Sequence, residues 1–141
     1  MKDSKLTQWQ GFGITVLRVV TGQIFLTSGV AHLLMEDPSQ IGVPVPSPIF
    51  MVGSLLELLC GAALVVGLLT RWASTSLAFI MLVDILLIHP PHGFFVQAGF
   101  FVEDMGFEYT LLRLAACTAL ALAGPGKLAI DNIMATRKGP T

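Results

Sequence analysis

Four apolar stretches, at about residues 12–34, 49–69, 72–88 and 107–123, take up most of this 141-residue chain, and every one holds charge within it or at its edge. Arg18 falls in the first, Glu57 in the second, Asp84 in the third, and Glu108 and Arg113 in the fourth. A stretch of about 20 apolar residues spans a bilayer as a helix. A charge held at its centre costs roughly +2.5 to +3.5 kcal/mol on insertion scales unless a partner or a wet cavity receives it. Two cations and two anions, Arg18 and Arg113 against Glu57 and Asp84, therefore predict a buried polar network inside a small bundle.

Composition agrees with this reading. Only 12% of the residues are charged and 54% are hydrophobic, with a mean hydropathy of +0.78, whereas soluble domains carry roughly 25% charge. The expected fold is an all-α membrane protein, one four-transmembrane-helix bundle occupying residues 1–141 as a single domain. A net charge of −1 gives no basic surface for nucleic acid. Membrane lipid is the expected surrounding.

Charge distribution sets an orientation. Lys2 and Lys5 precede the first stretch, Arg71 lies in the second turn, and Lys127, Arg137 and Lys138 follow the fourth. Residues 35–48 and 89–107 hold no Lys or Arg, and carry Glu36, Asp37, Glu103 and Asp104 instead. The positive-inside rule then puts both termini in the cytoplasm and both long loops outside. Met1–Ala31 resembles a secretory signal in its basic start, but its apolar run is too long and contains Arg18, so it reads as a first span.

The first helix shows an inward face. Arg18, Gly22, Phe25, Gly29 and His32 recur at helical spacing, and Gly53, Glu57, Gly61 and Leu64 make the matching stripe on the second. Glycines on such faces let membrane helices approach closely. Pro44, Pro46 and Pro48 hold the first long loop extended, and Gly124-Pro125-Gly126 stops the fourth helix. Cys60 and Cys117 form no CxxC pair and read as small buried hydrophobes rather than a redox pair.

At 1.5 Å per residue, Glu57 lies roughly 12 Å below the outer end of its helix, and Asp84 and Arg113 roughly 6 Å below theirs. Arg113 is placed to bridge the two carboxylates, or to pair with one and leave the other raised in pKa. Arg18, roughly 9 Å from the cytoplasmic end, has two routes: inward toward Glu57, which its glycine-lined face favours, or outward to the inner surface. His32, His89, His92 and Glu108 gather at the outer mouth, suited to hydrogen bonding or proton handling. No HxxxH or ExxH spacing points to a metal. Phe94, Phe95, Phe100 and Phe101 form an apolar outer loop, expected to lie at the interface or to contact a quinone or a partner subunit.

The chain resembles the DoxX family of small four-helix membrane proteins. The resemblance rests on Leu17-Arg18-Val19 with Gly22 and Gly29, Glu57 with Gly61, Gly67-Leu68-Leu69-Thr70-Arg71, His92-Gly93-Phe94-Phe95, Glu108-Tyr109, and Gly124-Pro125-Gly126 followed by Ile130-Asp131. It implies a bacterial or archaeal cytoplasmic (inner) membrane protein of the wider group that includes the small subunit of thiosulfate:quinone oxidoreductase. His32 stands where the family pattern suggests a lysine, and Asp84 has no counterpart in it.

Three functions follow as expectations. One is a membrane subunit associated with a redox enzyme, with a quinone as the ligand and the electron-carrying cofactor in a partner subunit. Another is a structural accessory subunit or homo-oligomer whose buried charges only fix helix register. The last is a route for a proton or small solute.

Overall fold

The structure, a computed structural model, describes residues 2–35, 46–87 and 108–137, and all five of its elements are helices. They are α1 (Lys2–Leu33), α2 (Ser47–Val66), α3 (Thr70–Leu87), α4 (Glu108–Ala123) and α5 (Ile130–Arg137). Helix α1 begins ten residues before the apolar stretch does. Helix α5 was not foreseen, since the stretch after Gly126 carries no apolar periodicity long enough to announce it. His89, His92, Phe94, Phe95, Phe100 and Phe101 lie outside the described residues.

Two helices are long and apolar enough to cross a membrane: α1 over Trp9–Leu33 and α2 over Ser47–Val66. Helices α3 and α4, of 18 and 16 residues, are shorter. Their outward side chains are apolar nonetheless. Phe79 is 66% exposed and Leu122 77%, on faces that a water-soluble domain would bury.

Helix α1 packs most extensively on α2, and α3 on α4, with α2–α3 and α1–α4 contacts completing the bundle. The α1–α2 seam is glycine on glycine. A Cβ at Gly22 would lie 2.9 Å from the Gly61 carbonyl oxygen, and one at Gly29 would lie 2.6 Å from the Leu58 nitrogen. Backbones that close leave no room for any side chain. The core beside this seam holds Phe25, Leu64, Leu77, Met81, Cys117 and Leu120.

The α2–α3 connection is short because Gly67 adopts φ +75° and ends α2 with a left-handed cap. Its N–H donates to the Ala63 and Leu64 carbonyls, and the Leu68 N–H donates to Ala63, the hydrogen-bonding pattern of a Schellman-type stop. Leu69 follows at φ +48°, a conformation unfavourable for a residue with a side chain. Asp131 of α5 holds it there. One carboxylate oxygen accepts the Leu69 N–H at 2.7 Å and the other the Thr70 N–H at 2.9 Å, so the first turn of α3 is capped from a helix 61 residues further along.

Candidate functional site

The sequence places four charges in one network; the structure distributes them over two levels. Arg18 is buried and donates through Nη2 to the Leu128 carbonyl, at the bundle end closed by α5. Asp131 is the opposite charge that acts on it. Nη1 of Arg18 occupies the space a side chain at Gly67 would fill. Thr15 completes this level: its hydroxyl donates to the Gly11 carbonyl and accepts the Lys127 N–H at 3.1 Å. Asn132 donates to the carbonyls of Gly126 and Lys127. Arg18 therefore belongs to a clamp joining α1, the α2–α3 turn and residues 126–132, and not to Glu57. Arg18 lies against Gly67, which is ten residues from Glu57 along the chain, or about 15 Å at helical rise.

The second level lies at the opposite end of the bundle. Glu57, on the inward stripe of α2, is buried, and its Oε2 lies 3.1 Å from Nδ1 of His32 on α1. The His32 side chain is 29% exposed, so this pair joins a buried carboxylate to an imidazole that reaches the surface. The Phe50 ring packs on His32 at 5.4 Å, tilted by 51°. Arg113 on α4 sits in the same region with different partners. Its Nη2 donates to the Ser28 hydroxyl at 3.4 Å, and its guanidinium lies 4.1 Å from the Phe25 ring centre and 5.5 Å from that of Tyr109. Both rings attract the cation through their π faces. Nε of Arg113 is buried without a hydrogen-bond partner among the described residues, a donor a ligand oxygen would satisfy.

Asp84, on α3, and Glu108, at the start of α4, each have an interaction partner of their own. Cys60 and Cys117 are free thiols, Cys117 in the core and Cys60 at its edge. Sequence reasoning did not select Ser28, Phe50, Thr15 or Asp131 as site residues. Ser28 lies four residues before His32 and Phe50 three before Gly53, helical spacing from chosen neighbours, which is the signal that could have found them.

Between the two levels the interior is mostly apolar, with Thr21 buried there as well. Phe25, Leu64, Leu77 and Leu120 are fully buried there.

The DoxX family profile matches residues 13–90, more than half of the chain, including Arg18, His32 and Glu57. The chain belongs to the DoxX family. Its relatives include an uncharacterized membrane protein of Mycobacterium tuberculosis, 26% identical over 134 residues, covering 88% of this chain and 82% of that protein. An uncharacterized protein of Haemophilus influenzae is 27% identical over 136 residues, covering 92% and 96% respectively. No solved structure matches the chain. As a DoxX-family membrane protein, the chain finds a natural place for its exposed apolar surface in lipid.

Proposed function

We propose that this DoxX-family protein spans the bacterial or archaeal cytoplasmic membrane four times, with both termini inside. In that setting it serves as the membrane subunit of a redox assembly and receives a quinone head group at the Arg113 level. The observation that carries this reading is the Arg113 guanidinium, stacked on Phe25 and Tyr109 with a buried unpartnered Nε, beside the His32–Glu57 pair. Aromatic walls with a few convergent polar groups suit a flat ligand carrying carbonyl oxygens. Arg113 would donate to one oxygen, and the imidazole–carboxylate pair would handle the protons that accompany reduction. Electrons would come from a cofactor in a partner subunit. Phe94, Phe95, Phe100 and Phe101 would form the outer wall.

The four-span orientation is supported by the Lys- and Arg-free loops. It is supported too by Trp9 and Trp72, both highly exposed at the end where α1 and α3 begin, the depth that tryptophan favours at a membrane–water boundary. A cysteine introduced at Ser39 or Gln97 is expected to react with an impermeant thiol reagent from outside intact cells, and one at Thr136 only after lysis. The reverse pattern would sink the orientation.

For the ligand, the wild type in lipid nanodiscs is expected to bind a fluorescent quinone analogue. Arg113→Gln should weaken it by about tenfold or more, as loss of a charge-assisted hydrogen bond implies, while Arg71→Gln, at an exposed position, should not. Equal affinity in the wild type and Arg113→Gln would reject the quinone reading.

A further inference from the structure

We infer that His32 and Glu57 form a proton port that exchanges with one side of the membrane only, the side away from α5. The inference stands on the geometry of the pair and of the bundle interior, and holds whether or not a quinone binds.

Glu57 is almost wholly enclosed, with its side chain 7% exposed, whereas His32 is 29% exposed. The 3.1 Å contact between Oε2 and Nδ1 makes the imidazole the open side of the carboxylate. A proton taken from solvent at Nε2 of His32 releases the Nδ1 proton to Oε2 of Glu57, and the ring returns to neutrality. One proton enters, an N–H bond forms at Nε2 as the one at Nδ1 breaks, the carboxylate becomes a carboxylic acid, and the ring ends as its Nε2–H tautomer.

Toward α5 there is no such relay. Below Glu57 the chain places Gly61 against the backbone of Phe25 and Leu26, then the fully buried Phe25, Leu64, Leu77 and Leu120. The next polar groups are the buried Thr21, Arg18, Thr70 and Ser74. Arg18 donates to the Leu128 carbonyl and Ser74 to the Thr70 carbonyl at 2.7 Å, while Arg18 Nε and Nη1 and Thr70 Oγ1 are buried without a hydrogen-bond partner among the described residues. Beyond them, Thr15, Asp131 and Asn132 tie residues 126–132 to α1 and to the α2–α3 turn. An apolar layer capped by a hydrogen-bonded lid passes no protons on the timescale of imidazole exchange.

Other ionisable groups occur in the same half: Arg113, Tyr109 and Glu108 on α4, Asp84 on α3, Cys60 beside Glu57 on α2, and Cys117 in the core. The 3.1 Å contact ties Glu57 directly to the exposed ring.

The test uses the full-length protein, without quinone, in vesicles sorted to a single orientation. Glu57 is followed by its protonated-carboxyl infrared band, identified by its loss in Glu57→Gln. A pH jump on the side away from α5 is expected to change the band promptly, and the same jump on the α5 side to leave it unchanged over that time. His32→Asn, which keeps a hydrogen-bonding group of similar size, should slow the response about tenfold or more. His32→Phe should slow it as well, and thermal unfolding verifies that both variants are folded. A response to the α5-side jump as fast as to the other, an undiminished rate in His32→Asn, or a band that answers neither jump would overturn the inference. Retained quinone binding alongside any of those outcomes would leave the ligand site standing, so the two readings fail separately.

Discussion

Gly61→Val is expected to abolish most of the folded protein, and Gly61→Ala to cost about 1–3 kcal/mol. A Cβ at this position would lie 2.6 Å from the Leu26 nitrogen and about as tightly against Phe25 and Gly22, at 3.0 Å from each. All three obstacles are main-chain atoms of α1, which no side-chain rotation can clear. Relief requires α1 and α2 to separate along the most extensive helix contact in the bundle. Gly53 is the control. Nothing lies within 4 Å of a Cβ there, so Gly53→Ala should be neutral or slightly stabilising, as helix propensity favours alanine. Thermal unfolding in detergent, read by size-exclusion fluorescence, compares the variants. Equal melting for Gly61→Val and the wild type would mean that α1 and α2 do not meet at this glycine.

The second large effect is expected at the α5 end. Arg18→Ala removes a buried side chain and leaves the Leu128 carbonyl without its charged donor, at a cost of about 1–3 kcal/mol. Asp131→Ala strips the Leu69 and Thr70 N–H groups of their acceptor and should cost about 1–2 kcal/mol, as helix-cap losses do. Because each substitution also removes part of what the other charge needs, the double variant should fall short of the sum by about 1 kcal/mol or more. Arg18→Ala combined with Glu57→Gln should instead be additive, since those side chains sit on different levels. Coupling of Arg18 with Glu57 and none with Asp131 would reverse the assignment of the two levels.

The helices themselves were legible because membrane spans depend on length and apolarity, properties carried by consecutive residues. The glycine seam was legible for a similar reason: Gly22, Gly29 and Gly61 fall on faces fixed by helical period alone. The destination of Arg18 was not. Its face pointed toward the bundle interior, but its partners, Leu128 and Asp131, lie more than 100 residues away in a segment without apolar periodicity. Nothing local in α5 says that its first carboxylate will cap another helix. The motif Gly124-Pro125-Gly126 with Ile130-Asp131 marked the segment through the DoxX resemblance, and its physical role emerges only when the α2–α3 turn is seen beneath it. At the other level, equal charge and similar depth suggested that Arg113 would bridge carboxylates. Two aromatic rings and a serine hydroxyl lie against it, and cation–π contacts of this kind follow from three-dimensional packing rather than from charge arithmetic.

The cap that Asp131 places on α3 also dictates an order of events during synthesis. Arg18 leaves the ribosome 113 residues before the carboxylate that will balance it (131 − 18). At about 5–20 residues per second, that interval is on the order of ten seconds. Throughout it, α1 is a membrane helix carrying an uncompensated guanidinium, and the α2–α3 turn holds a left-handed leucine without its anchor. The nascent bundle must therefore be sheltered at the insertion machinery, or keep Arg18 at the lipid headgroups, until the last helix arrives and draws the arginine inside.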